Sequence, residues 1–465
     1  MPAAEPLYTA AEMRAAEARY PGFPATAPEL MERAGRAVAD EALRRYPDAR
    51  RFSVVCGAGA NGGDGRIAAA ALAAAGREVE VVEAGGALVP GGVDVLVDAL
   101  FGTGFSGEPR EEAARLIEAM NASGVPVLAV DVPSGVDAST GETVGAAVRA
   151  SVTVTFHGRK VGLAVAPGLF HAGEVVVADI GLEPAETEHR LVTREILGRV
   201  PRRGPGDNKY SAGSVLVVGG SAGLAGAPCL AAEAAFRADA GYVAVAVPAS
   251  VMPVVEQRLL EAVKRPCPDD GEGRLTPDAV EPILEAASRA GAVALGPGLG
   301  RSDGVRALVR RLLAELELPV VVDADALFEL EPAERPWPTV LTPHEGELGR
   351  LLGEPSSAIA AHRLDAVRRA AERFGAVVLL KGADTIVATP GEGVLVRSLN
   401  ASGLATAGTG DVLTGILAAF LAKGMEPREA AVAAATAHAA AALLLPQQVG
   451  LIASDVVRAL PAALA

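Results

Sequence analysis

The chain has 465 residues, half of them hydrophobic and 3% aromatic, and its 42 lysines and arginines face 57 aspartates and glutamates for a formal net charge of −15. That length exceeds one ordinary hydrophobic core, so two domains are expected. The acidic balance repels nucleic acid and anionic lipid, which argues against both as partners and leaves anionic ligands to backbone amides, isolated cations or metal ions.

Residues 1–20 carry Glu5, Glu12, Arg14, Glu17 and Arg19 without an apolar centre, so no signal peptide is expected. Apolar residues at helical spacing predict helices over 10–19 and 27–46. Short apolar runs then predict strands over 52–56, 79–82, 93–97, 125–130, 152–155 and 175–178, with helices between them such as 66–75 and 110–120. Strand and helix in alternation imply a parallel sheet covered on both faces. The charged stretch 187–203 leads into Pro201, Gly204, Pro205 and Gly206, which places a domain boundary there and gives domains 1–204 and 205–465. The alternation restarts with strands over 214–218, 242–247, 292–295, 320–323, 339–342 and 377–380, and long alanine-rich helices follow Val412. The stretch 430–445 holds Thr436 and His438 and stops at Pro446, so it reads as a buried core helix and not a membrane span. Cys56, Cys229 and Cys267 are scattered and form no CxxC, the pattern of buried thiols in a reducing compartment. A soluble, cytoplasmic protein is expected, and the alanine-rich helices make a homo-oligomer the expected state.

Two sets of strand ends carry chemistry. The first strand runs into Gly57-Ala58-Gly59-Ala60-Asn61-Gly62-Gly63-Asp64-Gly65, where glycines let the backbone approach a ligand and a following helix offers unpaired amides to phosphate. Asn61 and Asp64 beside that cradle suit a sugar or a cation. Asp98 precedes Gly102-Thr103-Gly104-Phe105-Ser106-Gly107-Glu108, and Asp131 precedes Ser134. In an open parallel sheet these three ends converge where ligands bind, although strand-end aspartates also serve as caps and turn formers. This half resembles the epimerase domain of NAD(P)H-hydrate repair enzymes over residues 8–182, including Leu30-Met31-Glu32-Arg33-Ala34-Gly35. The resemblance implies that Ala60–Asp64, Gly102–Glu108 and Asp131 bind the hydrated cofactor, and that Asn61, Asp98 and Ser134 hold potassium. The family's first asparagine of this loop is replaced here by Ala60. Epimerisation at C6 of the hydrated nicotinamide needs proton transfers by a nearby carboxylate, for which Asp131 is the candidate.

The second set is sharper. Gly408-Thr409-Gly410 precede Asp411 in the stretch 400–415, and an apolar helix follows. Glycines at a helix start expose amides to one anion, and a carboxylate at the first helical position can take a proton from an attacking hydroxyl. Helix capping is the competing role for Asp411. The pattern resembles the ribokinase-like family. Asn208–Ala227, Gly296-Pro297-Gly298-Leu299-Gly300, Asp323–Leu327, Thr342-Pro343-His344-Glu345-Gly346-Glu347 and Lys381-Gly382-Ala383-Asp384-Thr385 narrow it to ADP- or ATP-dependent NAD(P)H-hydrate dehydratases. The resemblance implies that Ala227, Gly298, His344 and Asp411 face the hydrated cofactor. It places Lys381, Gly382, Ala383, Asp384, Thr385 and Gly410 around the nucleotide, and Mg²⁺ is expected to help the Gly408–Gly410 amides stabilise the charge. His344 could equally fix a turn.

The expected fold class is α/β, with a Rossmann-like three-layer αβα N-terminal domain and a ribokinase-like αβα C-terminal domain. Hydroxide is a poor leaving group, so phosphorylation of the hydrate hydroxyl followed by phosphate elimination is the expected route, with Asp411 as base. The substrates implied are NADHX or NADPHX with ADP or ATP. Two other readings stand beside this one: a vitamin-precursor kinase that releases its phosphate ester, and an N-terminal domain that only binds or scaffolds.

Overall fold

The computed structural model describes residues 3–398 and 401–465. Asn400, the first residue of the stretch leading to Asp411, lies outside the described residues. The chain divides into two compact units, a smaller one over Pro6–Leu191 and a larger one built mainly from Val192–Ile359 and Arg363–Ala465.

The smaller unit is a six-stranded sheet of β1 (Arg51–Cys56), β2 (Glu78–Glu83), β3 (Val95–Ala99), β4 (Val127–Val130), β5 (Val152–Phe156) and β6 (Glu174–Ala178). All pairings are parallel in the order β2-β1-β3-β4-β5-β6, so the direction of winding reverses between β1 and β3. β3 and β4 are buried along their whole length, as a sheet covered on both faces requires. Helices α1 (Ala10–Ala18) and α2 (Ala27–Arg45) precede the sheet, with α3 (Ala60–Ala74) between β1 and β2 and α4 (Glu111–Ala122) between β3 and β4. The Leu30–Gly35 stretch has a packing reason. A Cβ at Gly35 would come within 2.6 Å of Ile67, and one at Gly63 within 2.5 Å of Met31 Sδ, so α2 and α3 meet almost backbone to backbone.

The larger unit carries β7 (Ser214–Val218), β8 (Tyr242–Pro248), β9 (Val263–Cys267), β10 (Ala292–Leu295), β11 (Val320–Val322), β12 (Thr339–Leu341) and β13 (Val377–Leu380). These are parallel in the order β9-β8-β7-β10-β11-β12-β13, and the winding again reverses, between β7 and β10. Two antiparallel strands, β14 (Asp384–Ala388) and β15 (Leu395–Ser398), extend the sheet beyond β13. Helices α5 (Gly226–Arg237), α6 (Asp303–Glu315), α7 (Glu345–Leu352), α8 (Arg363–Phe374), α9 (Thr409–Ala422), α10 (Pro427–Leu443) and α11 (Ala453–Leu464) surround it. α9 and α10 are buried nearly throughout and form one core with β7, β8 and α5, which is why they are alanine-rich. The stretch 192–204, read from sequence as the tail of the first domain, sends Val192, Ile196, Leu197 and Val200 into this core. None of the described helices is long and apolar enough to cross a membrane. The three cysteines are free and buried, and burial pushes each thiol up to about 11.

Candidate functional sites

In the smaller unit the glycine loop is shorter than its sequence suggests. α3 begins at Ala60, so Ala60–Asp64 form the first helical turn and not a loop before it. The turn sits hard against the strand end, since a Cβ on Gly62 would fall 1.8 Å from the Gly57 carbonyl oxygen. Asp98 lies inside β3 and not after it, fully buried. Its carboxylate accepts from the Ser134 amide at 2.8 Å and the Ser134 hydroxyl at 2.6 Å, and burial, opposed by these bonds, pushes it up to about 6. Asn61 Nδ2 donates to the Phe101 carbonyl at 2.9 Å, and the Phe101 amide donates to Ser134 Oγ at 2.9 Å. Asn61, Asp98 and Ser134 are thus brought together, joined by Phe101. Their donor set of carbonyl, hydroxyl, amide and one carboxylate oxygen is hard, and among the described residues no three His, Cys, Asp or Glu side chains cluster as metal ligands. That composition fits a potassium ion.

Asp131 begins the next loop with a left-handed backbone, φ 66°. Its carboxylate accepts from the Thr103 amide at 3.3 Å, which ties the Gly102–Glu108 loop to it. Gly102 lies against Asn61, and Phe101 stacks on Phe105 with ring centroids 4.7 Å apart. Gly104, Ser106, Gly107 and Glu108 are exposed along the same loop. Two residues of this site carried no signal in the sequence. Lys160 is fully buried and its ammonium lies 2.7 Å from Asp131, donating also to Thr155 Oγ1 and the Phe156 carbonyl. Glu17 of α1 interacts with Asp131 and Asp64. Burial, then Asp131 and Glu17, pushes Asp64 up to about 8.

In the larger unit α9 begins at Thr409, so Asp411 is its third residue and not its first. The residue before the helix is Gly408, left-handed at φ 87°, which brings no side chain to the helix end. The amides of the first turn are therefore open to an anion. Among the described residues the Asp411 carboxylate has no hydrogen-bond or ion-pair partner, so it does not cap its helix. Burial, then Asp323, pushes it up to about 7 against the pull of Lys381.

Lys381 follows β13 and its ammonium lies 2.9 Å from Asp323 and 3.6 Å from Glu347. Burial works against that ammonium, but the two carboxylates outweigh it and raise it. Asp323 is held low for the converse reason: burial is overcome by Lys381 and by the Thr414 hydroxyl. A Cβ on Gly410 would lie 3.6 Å from the Lys381 ammonium, so α9 starts directly over this pair. His344, Lys381, Gly382, Ala383, Thr385 and Gly410 all line one cavity of about 560 Å³. His344 also caps α7, its Nδ1 accepting from the Gly346 amide at 3.0 Å, so the turn-fixing role is present while the residue still lines the cavity. Asp384 departs from the expected set. Its side chain is buried against Arg363, with Nε–Oδ2 at 3.0 Å, and it does not line the cavity. Ala227 and Gly298 are brought together at the β7/β10 reversal, where a Cβ on Gly298 would lie 3.1 Å from the Ala227 Cβ. Asp323, Glu347 and Thr414 stand inside motifs the sequence singled out but were given no role there, and Arg363 lay outside every motif.

The strand order and the glycine-led helix of the larger unit define a ribokinase-like α/β fold. A ribokinase-like superfamily protein from Enterococcus faecalis shares it with TM-score 0.52 at 22% identity, covering 61% of this chain and 97% of that one. An ADP/ATP-dependent NAD(P)H-hydrate dehydratase from Bacillus subtilis, co-crystallised with ATP/Mg²⁺, is 28% identical with TM-score 0.51 over 58% of this chain and 96% of that one. A family described as NAD(P)H-hydrate dehydratase matches residues 215–461, and one described as YjeF-related protein N-terminus matches 27–90 and 83–162. Two relatives described as bifunctional NAD(P)H-hydrate repair enzyme Nnr, from Moorella thermoacetica and Escherichia coli, are 38% and 36% identical. They cover 94% and 91% of this chain and 91% and 86% of their own lengths. The chain belongs to the family of bifunctional NAD(P)H-hydrate repair enzymes.

Proposed function

We propose that the larger unit dehydrates hydrated NAD(P)H with ADP or ATP and that the smaller unit interconverts the two C6 epimers of the hydrate. The observation that carries the reading is the unpaired Asp411 carboxylate at the open start of α9, beside the Lys381–Asp323 pair. Asp411 takes the proton of the C6 hydroxyl as its oxygen attacks the terminal phosphorus of the nucleotide, and the shortened nucleotide leaves. The amides of Thr409, Gly410 and Asp411 and the Lys381 ammonium stabilise the charge on the transferred group. Magnesium bound with the nucleotide would supply further neutralisation of the phosphate charge beside Lys381. Push from the ring nitrogen then expels phosphate, and loss of the C5 proton restores the double bond. His344, Ala227 and Gly298 shape the hydrate side of this site.

In the smaller unit Asp131, paired with Lys160, is the proton acceptor, and Asp64, protonated near neutrality, is the donor for ring opening and closure. Asn61, Asp98, Ser134 and the Phe101 carbonyl would hold potassium, which would supply a fixed positive charge to the bound cofactor.

The test is recovery of the dihydronicotinamide absorbance from an epimeric mixture of hydrated NADPH with Mg²⁺ and either nucleotide. Full recovery is expected, and Asp131→Asn should leave one epimer unrepaired. A stable phosphorylated product in place of recovered absorbance would instead establish a small-molecule kinase.

A further inference from the structure

The turn between β13 and β14 brings Lys381, Gly382, Ala383 and Thr385 to the cavity, with Gly382 and Ala383 exposed. What holds its shape lies beneath it. Arg363, the first residue of α8, is 2% exposed, and its guanidinium fits inside the turn. Nε lies 3.0 Å from Asp384 Oδ2 and Nη2 lies 2.9 Å from Oδ1, a bidentate pair on a buried carboxylate. Nη2 also donates to the Lys381 and Asp384 carbonyls, each at 3.3 Å. Nη1 pairs with Glu345 at the start of α7. A Cβ on Gly382 would fall 2.2 Å from Nη2. The fit accounts for two motif residues that carry no chemistry of their own. Gly382 lacks a side chain where the guanidinium stands, and Asp384 turns inward to hold that guanidinium.

A buried ion pair is a poor source of stability, since apolar residues of similar volume serve as well or better. What it supplies here is geometry. A guanidinium is a rigid planar fork that fixes the direction as well as the distance of what it binds, and an ammonium does not. The fork binds both ends of the turn, the Lys381 carbonyl and Asp384, and the Lys381 amide donates to the Pro343 carbonyl at 2.9 Å. The main chain from which the Lys381 side chain leaves is thereby fixed on both sides. The pair with Glu345 joins the turn to α7, whose Glu347 lies 3.6 Å from the Lys381 ammonium. We propose that Arg363 is a positioning residue of the dehydration reaction, holding the Lys381–Thr385 turn in the shape that receives the nucleotide phosphates and setting Lys381 beneath the start of α9. The assignment rests on the reading that this cavity holds the nucleotide. Arg363 does not line the cavity, so it acts through the turn and touches no substrate.

The experiment uses the full-length enzyme with hydrated NADPH, Mg²⁺ and ATP, and reads kcat, the KM of each substrate and thermal unfolding on one preparation. Arg363→Lys keeps the charge and loses the fork. It should raise the KM for ATP by about tenfold or more and lower kcat by about tenfold, with the KM for hydrated NADPH within about twofold of wild type. A brace that only stabilises predicts a lower unfolding temperature with kcat and both KM values unchanged in the folded enzyme. That result overturns the proposal, as does a rise confined to the hydrate KM. Gly382→Ala leaves the buried pair in place and sets a methyl against the guanidinium. It should raise the KM for ATP by about tenfold beside arginine, and by less than about twofold in the Arg363→Lys background, where the fork is already lost. Equal costs in the two backgrounds would show that the methyl acts on the nucleotide directly, and the proposal would fall. If Arg363→Lys does not fold, Gly382→Ala alone decides, and an unchanged KM for ATP overturns the proposal. If Lys381→Ala left the KM for ATP unchanged, the nucleotide reading of the cavity itself would fall, a separate outcome.

Discussion

The two sites occupy the same place in their respective sheets, the carboxyl edge where strand order reverses, yet they set their key carboxylates in opposite ways. Asp131 is matched by a buried ammonium at 2.7 Å, and its neighbour Asp64 is left to hold a proton up to about 8. Asp411 has no matched partner, because Lys381 is already engaged by Asp323, and burial pushes it up to about 7. A cation beside an acid is therefore not enough to define its role. What decides is which other carboxylate has taken the cation first.

The difference can be broken most sharply at position 411. Asp411→Asn removes the base while keeping shape, and dehydration should fall by about a thousandfold in kcat with epimerisation unchanged, read from separate assays on one preparation. An effect below about tenfold would mean that Asp411 only shapes the site. Asp131→Asn is expected to slow epimer exchange by about a hundredfold. It also strands Lys160 without its counter-charge, so thermal unfolding should show a loss of about 3–5 kcal/mol, a penalty that Asp411→Asn should not share.

The pH profiles should diverge. A base raised to about 7 must be ionised to act, so log kcat/KM for dehydration should climb with unit slope below pH 7 and level above it. An acid raised to about 8 must keep its proton, so epimerisation should hold through neutrality and decline above pH 8. Parallel profiles would remove the contrast. The smallest effect is at Ala60, exposed on the first turn of α3. Ala60→Asn supplies the amide that the family resemblance expects, and epimerase kcat/KM should rise by about three- to tenfold, one hydrogen bond's worth.

Much of this was legible in the chain itself. Parallel strands ending in glycine or aspartate, and Gly408–Asp411 before an apolar run, report their geometry because main-chain conformation limits which residues can stand there. Corrections came where a helix starts. Glycines at 62, 63 and 65 looked like loop, but close contact with Gly57, Met31 and Ala99 lets them sit inside α3. Lys160 was invisible because nothing local distinguishes a lysine that folds back 29 positions onto an aspartate. Asp384 misled for the reverse reason: it belongs to the Lys381–Thr385 motif, yet Arg363, distant in sequence, claims it.

The contact between Gly62 and the Gly57 carbonyl has a further meaning. Where main chain touches main chain, no side-chain rotation can loosen the join, so the amides at the start of α3 are aimed by covalent geometry alone. A single added methyl at 62 would meet the Gly57 carbonyl oxygen, tilt the helix away from the sheet with Asn61 and Asp64, and disable the epimerase without removing any polar group.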